Sequence, residues 1–219
     1  MARAPVRIVG LGRQDRSDGA SAVVKHALEL GADAQFIIDL GEGEFDQGLI
    51  DWRGMLESKH WLVASSSCTL DGDAMKWAWG SSLTFAELEG CKTAMVVDVP
   101  EDSARMGEAW GSVIERIRQI HILFIGPDAM RAVAELEGLD ESLLLREIRS
   151  TGLVPIVCSF DPDNGVASVS HALGQETIEV GRELGLERWL AGFLCDLPQS
   201  GSGASGIISA ARSSPGQSR

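Results

Sequence analysis

Residues 6–40, VRIVGLGRQDRSDGASAVVKHALELGADAQFIIDL, decide the fold class of this chain. They open on a β-branched run at residues 6–9 and close on a second apolar run at residues 34–40, both typical of buried strands. Between these runs, apolar residues recur three and four positions apart at Val23, Val24, Ala27 and Leu28. That spacing predicts a helix, and Gly31 is typical of its C-terminal cap. The segment therefore predicts a strand, a helix and a second strand.

The same alternation continues along the chain. Further runs that predict strands occur at residues 61–64, 94–99, 120–125 and 154–159. Helical spacing recurs at Val113, Ile114 and Ile117, and again at Leu144, Leu145 and Ile148, with Gly152 as the expected C-terminal cap. Strands that alternate with helices predict an α/β fold with a mainly parallel central sheet. Runs at residues 166–169 and 177–180 predict an antiparallel addition at one sheet edge, and residues 186–197 predict a last helix.

The length of 219 residues and the hydrophobic content of 44% predict one core. We expect a single domain over residues 1–199. Residues 200–219 are rich in Ser and Gly and predict a partly disordered tail, in which residues 207–211 extend a weak helix.

Charge and cysteine content exclude several classes of protein. The formal net charge is -13, and no Lys/Arg run is present, so nucleic acid is not an expected partner. No segment approaches the ~20 apolar residues of a membrane helix, so we expect no membrane association and a cytoplasmic location. The four cysteines are widely spaced, without a CxxC pair, which predicts reduced, buried thiols.

Several segments resemble the PfkB/ribokinase family of carbohydrate kinases. Residues 30–37, LGADAQFI, followed by residues 40–49, LGEGEFDQGL, resemble the first signature of that family. Residues 122–134, 152–169 and 190–194 resemble later stretches, including the β-hairpin near the nucleotide. The resemblance, of the 2-keto-3-deoxygluconate kinase type, implies a ribokinase-like three-layer α/β/α sandwich.

The resemblance also implies an activity, the phosphorylation of a sugar hydroxyl by ATP with Mg²⁺. Glu187 aligns with the catalytic base, and Gly185 and Leu186 align with the anion hole at a helix N-terminus. The remaining implied roles are sugar binding by Asp18, Gly41 and Asp98, nucleotide binding by Asp161 and Gly165, and metal binding by Asp128. The small-molecule partners that the resemblance implies are a sugar and a nucleotide.

The chain departs from the family pattern at the implied active site. The family's Gly-Ala-Gly-Asp turn aligns with Leu184-Gly185-Leu186-Glu187, so two leucines replace glycines that let phosphate approach the backbone. The sequence also leaves little room for the β-strand lid that closes over the sugar. These departures predict weak or lost catalysis, and a monomer or a dimer that does not use the family's lid.

Other interpretations remain open from the sequence. A degenerate kinase fold is also compatible with a pseudoenzyme that binds a nucleotide, a sugar or a protein partner, the last through Trp77 and Trp79. Asp18 is equally typical of an N-cap for the helix that follows it. Residues 8–12, IVGLG, followed by residues 16–19, RSDG, resemble the opening of hydrogenase maturation endopeptidases, but Ala64-Ser65 stands where those enzymes need an Asp.

Overall fold

A computed structural model describes residues 4–11, 18–37, 46–182 and 184–212. The strands are β1 (Arg7–Leu11), β2 (Asp33–Phe36), β3 (Trp61–Ser65), β4 (Lys92–Val97), β5 (Ile122–Ile125), β6 (Ile156–Asp161), β7 (Val166–His171) and β8 (Gly174–Glu179). The helices are α1 (Gly19–Glu29), α2 (Trp52–Leu56), α3 (Asp73–Leu88), α4 (Met106–Glu115), α5 (Pro127–Glu137), α6 (Glu141–Gly152), α7 (Leu186–Ser200) and α8 (Ala204–Arg212). Short 3₁₀ turns occur at Gln47–Leu49, Ser67–Leu70, Ser103–Arg105 and Ile117–Gln119.

All eight of these strands form one sheet in the order β2-β1-β3-β4-β5-β6-β7-β8. The first six pair in parallel, and β7 and β8 add antiparallel at one edge. The predicted α/β class, the mainly parallel sheet and the antiparallel addition are therefore confirmed. The sequence placed the end of β4 two residues too late, because the strand stops at Val97 and Asp98 begins a loop. Within the ranges that the structure describes, no second sheet that would form a lid is present.

The sheet is buried on both faces, which gives the three layers. Successive side chains of a strand point to opposite faces, so Leu62 of β3 joins the core beneath α2 to α6, and Val63 joins the core beneath α1, α7 and α8. Met95 and Val96 divide in the same way on β4. A strand buried on both faces needs an uninterrupted apolar run, which is the pattern that the sequence shows.

Helix ends confirm one predicted cap and correct another. Gly31 follows α1 with φ +84°, in the left-handed conformation expected of a cap. The expectation that Gly152 ends its helix in this way is wrong, because Leu153 takes the left-handed conformation with φ 56°. Gly152 is instead helical and packs closely, since a Cβ there would lie 2.7 Å from Cδ1 of Ile117.

The C-terminal segment contributes to the core. Helix α8 packs against α7, and Ile207, Ala210 and Ala211 are buried. The buried Trp189 of α7 donates a hydrogen bond from Nε1 to the carbonyl of Ala211 at 3.0 Å. Residues 200–219, which the sequence predicted as a tail outside the domain, thus include a helix that packs on one face of the sheet. No helix in the described ranges is long and apolar enough to cross a membrane.

Candidate active site

The loops that leave the parallel strands meet at one edge of the sheet. Val97 of β4 is in register with Ile125 of β5, so Asp98 and Gly126 lie side by side at the ends of neighbouring strands. Open α/β sheets bind ligands in the crevice outside the carboxyl ends of their strands. Two cavities lie at this edge, and both contain residues that the sequence singled out.

The first, which we call the aspartate cavity, has a volume of about 520 Å³. Its polar lining is dominated by carboxylates, from Asp18, Asp71, Asp98, Glu101 and Asp102, with Arg105 as the cation among them. The structure therefore brings Asp18 and Asp98 together in one cavity, and sugar binding by them stays a prediction. A lining of this kind accepts hydrogen bonds from hydroxyl or ammonium groups and disfavours anions.

Asp98 is held in place by the loop that follows β3. Its Oδ1 accepts hydrogen bonds from Ser66 Oγ at 3.0 Å and from the Ser67 backbone N–H at 3.1 Å. Its Oδ2 accepts a hydrogen bond from Ser67 Oγ at 2.7 Å. These contacts satisfy Oδ1, whereas Oδ2 keeps acceptor capacity for a ligand. Asp98 thus fixes the shape of the cavity as well as lining it.

Asp18 caps helix α1, which confirms the structural role considered for it. Its Oδ1 accepts from the Ser21 N–H at 2.8 Å, and its Oδ2 accepts from Ser21 Oγ at 2.9 Å. Ser65 Oγ lies 3.4 Å from Asp18 Oδ1 and accepts a hydrogen bond from the Ala20 N–H at 2.8 Å. Sequence reasoning missed the serines at positions 65–67, although three successive serines after a buried strand were the available signal.

Helix α7 begins over the end of β5. Gly185 is its N-cap and supplies no side-chain cap, so the first backbone N–H groups of α7 are not capped by a side chain. A Cβ at Gly126, beside Asp98, would lie 3.8 Å from Leu186 Cδ1, which places the start of α7 over the end of β5. Leu184 is buried in the core. The structure thus gathers Gly185, Leu186 and the partly exposed Glu187 at one helix start, where negative charge is favoured.

The second cavity, which we call the hairpin cavity, lies between the start of α5 and the turn that joins β6 to β7. It has a volume of about 710 Å³, and Leu186 lines it together with Asp128, Asp161 and Ser168. Asp128 is 86% exposed and lies 3.7 Å from Nη1 of Arg131. Leu186, Asp161 and Asp128, which were predicted for the anion hole, the nucleotide site and the metal site, therefore line one cavity.

Asp161 and Gly165 shape the β6–β7 turn. Asn164 donates to Asp161 Oδ2 through its side chain at 2.6 Å, and to Oδ1 through its backbone N–H at 3.1 Å. These hydrogen bonds hold the pKa of Asp161 below its ordinary value. Gly165 has φ +66°, and a Cβ there would lie 2.6 Å from the carbonyl carbon of Gly181. Gly165 is thus packed against backbone. Gly41, the remaining predicted residue, lies outside the described residues.

The carboxylates at this edge do not form a metal cage. No group of three or more His, Cys, Asp or Glu side chains in the described ranges is arranged to hold a metal ion. Mg²⁺ in general is held by one or two carboxylates together with substrate phosphates, and such binding needs no cluster of this kind. The exposed carboxylates that line the hairpin cavity come from Asp128, Glu141 and Asp163.

Comparison with known proteins identifies the fold. No family model and no curated protein matches the sequence. A fructokinase from Xylella fastidiosa with bound ATP matches with a TM-score of 0.71 at 10% identity, over 95% of this chain and 86% of that chain. This chain has the ribokinase-like fold. The resemblance seen in the sequence segments is therefore confirmed at the level of the fold.

Two further ribokinase-like structures also match over nearly the whole of this chain. The 2-dehydro-3-deoxygluconokinase of Thermotoga maritima matches with a TM-score of 0.66 at 11% identity, over 96% of this chain and 94% of that chain. A double mutant of the Vibrio cholerae fructokinase, crystallised with fructose, ADP and potassium ion, matches with a TM-score of 0.70 at 10% identity, over 96% of this chain and 90% of that chain. The structural neighbours of this chain thus include sugar kinases that bind nucleotides.

Proposed function

We propose that this chain is a carbohydrate-kinase homologue that binds Mg·ATP in the hairpin cavity and a sugar in the aspartate cavity, with slow phosphoryl transfer between them. The observation that supports the proposal is the position of the α7 N-terminus. Leu186 lines the hairpin cavity and packs over Gly126, and Gly126 neighbours Asp98 of the aspartate cavity. A phosphoryl group held at this helix start would therefore lie between donor and acceptor.

The start of α7 offers the charge stabilisation that phosphoryl transfer needs. Backbone N–H groups at a helix N-terminus attract anions, and the helix dipole adds to that attraction. Gly185 leaves open space beside its backbone, so phosphate oxygens can approach it. Glu187, in the first turn, supplies a carboxylate that would accept the proton of the attacking hydroxyl. These groups would perform the transfer by positioning and electrostatics.

The flanking leucines explain why we propose a slow reaction. Leu184 is packed into the core, and Leu186 covers the end of β5. Neither position leaves its backbone as accessible as a glycine would, so only Gly185 admits the anion closely. Glu187 is also one methylene longer than the aspartate of the family pattern, which loosens control of the proton-accepting oxygen. Both changes weaken preorganisation without removing the binding cavities.

The charges of the two cavities restrict the ligands. Four carboxylates, from Asp128, Glu141, Asp161 and Asp163, line the hairpin cavity with Arg131. They would repel free ATP, and Mg²⁺ supplies the positive charge that offsets this repulsion. The carboxylates of the aspartate cavity accept hydrogen bonds from hydroxyl groups and disfavour an acidic substrate. We therefore propose a neutral sugar or an amino sugar as the phosphoryl acceptor.

Calorimetric titration with Mg·ATP and with a non-hydrolysable analogue tests the nucleotide site. We expect saturable binding of both, with thermal stabilisation of the protein. Ser168→Trp should abolish binding, because Ser168 lines the hairpin cavity. Leu173→Trp, in the exposed turn between β7 and β8 and outside that cavity, should not. Glu187→Ala should leave ATP binding nearly unchanged. Failure to detect binding at millimolar nucleotide would refute the proposed nucleotide site.

Release of ADP in the presence of neutral sugars tests the transfer step. We expect slow sugar-dependent turnover that is lost in Glu187→Gln and retained in Glu176→Gln, which lies on β8 outside both cavities. A second candidate function is nucleotide binding without catalysis, which the two leucines around Gly185 favour. Saturable Mg·ATP binding without turnover on any neutral or amino sugar would support that alternative and refute the kinase activity.

A further inference from the structure

A cleft separates α3 from α4 on the face of the sheet opposite α1 and α7. It has a volume of about 470 Å³, and we call it the α3–α4 cleft. Its lining comes from the length of α3 and from the last turn of α4 with Arg116. None of its lining residues lines the aspartate cavity or the hairpin cavity. The phosphoryl-transfer site proposed above therefore does not account for this cleft.

The cleft presents aromatic surface to solvent. Trp77 is 67% exposed, although its helix neighbours Met75, Ala78 and Trp79 are buried. Trp79 and Phe85 also line the cleft. The Nε1 group of Trp79 is buried and has no hydrogen-bond partner within the described ranges. An exposed indole beside a concave aromatic wall is suited to stacking against a flat ring.

Two cations in the cleft have no acidic partner among the described residues. Lys76 and Arg116 both line it, and neither forms an ion pair with any of the residues that the structure describes. Arg116 reaches across to α3, because its Nη2 lies 3.5 Å from where a Cβ of Gly80 would be. Glu115 is the acid in the same lining. In a chain with 32 acidic and 19 basic residues, a concave site lined by two cations and one acid favours an anionic ligand.

The hydroxyl groups that line the cleft donate hydrogen bonds to other groups of the protein. Ser81 Oγ donates to Gln47 Oε1 at 3.0 Å, Thr84 Oγ1 donates to the Gly80 carbonyl at 3.0 Å, and Ser112 Oγ donates to the Glu108 carbonyl at 3.2 Å. Their protons are therefore not available to a ligand. Besides the indole N–H groups, the donors that remain are the ammonium of Lys76 and the guanidinium of Arg116. Both are cations and bind a negative group in preference to a neutral one.

We propose that the α3–α4 cleft binds a small planar aromatic anion. Its ring stacks on Trp77, and its carboxylate or phosphate lies between Lys76 and Arg116. The volume of about 470 Å³ is that of a small-molecule site. The site is separate from the nucleotide and sugar cavities, so its occupancy does not depend on the proposed kinase function.

Calorimetry tests the chemical class of the ligand. The probes are 1-naphthoate and its neutral counterpart, 1-naphthamide. We expect one naphthoate to bind per chain and the amide to bind several-fold more weakly, because the amide lacks the charge that Lys76 and Arg116 recognise. Saturating Mg·ATP should not displace naphthoate. Equal binding of acid and amide, displacement by Mg·ATP, or no naphthoate binding at millimolar concentration would each overturn the proposal.

Substitutions locate the bound probe. Trp77→Ala should weaken naphthoate binding by about two- to tenfold through lost stacking, and Lys76→Gln and Arg116→Gln should each weaken it by about two- to fivefold. Arg118→Gln, which removes an exposed charge outside the cleft, and Leu173→Ala, which removes an exposed apolar side chain elsewhere, are the matched controls. Unchanged melting temperatures would show that all five variants fold. Naphthoate binding that Trp77→Ala and Arg116→Gln leave unchanged would overturn the site.

Discussion

Replacing Asp98 by Ala tests whether this residue holds the edge of the sheet together. The substitution removes the acceptors of three hydrogen bonds, from Ser66 Oγ at 3.0 Å, from the Ser67 N–H at 3.1 Å and from Ser67 Oγ at 2.7 Å. A hydrogen bond to a partly buried group contributes about 1 kcal/mol, and more when the acceptor is charged. The contact from the Gly19 N–H at 3.5 Å is too long to add much. We therefore expect Asp98→Ala to lower the free energy of unfolding by about 2–4 kcal/mol.

Urea unfolding followed by tryptophan fluorescence measures this change directly. Asp98→Asn should cost less, because the amide oxygen still accepts hydrogen bonds from Ser66 and Ser67. Asp102→Ala is the matched control. Asp102 lines the same cavity, but its side chain accepts one hydrogen bond, from the Ala104 N–H at 3.2 Å. A loss below about 0.5 kcal/mol in Asp98→Ala, within the range of ordinary surface substitutions, would refute the structural role of Asp98.

Three further predictions concern positions outside the cavities' charged linings. Gly165→Ala should lower the free energy of unfolding by about 2–4 kcal/mol, because φ is +66° and the added Cβ would clash with the backbone of Gly181. Gly203→Ala, the control, should change it by less than about 0.5 kcal/mol in the same urea assay. Burial raises the pKa of Cys195 to about 12, so native protein at pH ~8 should react slowly with a thiol reagent until it is unfolded; fast native labelling of Cys195 would contradict this. Burial, assisted by the charge of Lys92, lowers the pKa of His121 below 6.5, so the unfolded state takes up the proton first and stability should fall as pH drops below about 6.5. His121→Asn should flatten that slope, and identical slopes in both proteins would contradict the assignment.

The elements that the sequence predicts correctly are those whose burial produces a local pattern of apolar residues. The strands from β3 to β6 follow from short apolar runs, because each is covered on both faces. Helix α3 was not predicted, since its buried face includes the small residues Ala78, Ser82 and Ala86 and does not form a continuous apolar stripe. Small residues carry little hydrophobic signal, although they allow close packing.

The candidate site was predicted in part. Asp18 and Asp98 do meet in one cavity, because the residue after each parallel strand or before each following helix lies at the same edge of the sheet. The serines that hold them were missed. Ser67 is 31 residues from Asp98, and Ser65 is 47 residues from Asp18. Hydrogen bonds between residues so far apart in sequence depend on the order of the strands in the sheet, and local periodicity does not specify that order.

The sequence by itself determined the α/β class, the parallel sheet with its antiparallel edge and the positions of most strands. It could do so because buried residues of a helix or strand recur in the sequence at the period of that element. Only the tertiary structure decided which loops meet. It placed Leu186 over Gly126, it set Gly165 against the backbone of Gly181, and it brought Arg116 to Gly80. These contacts join residues that are distant in sequence, and they depend on the order and twist of the strands and on close packing between layers.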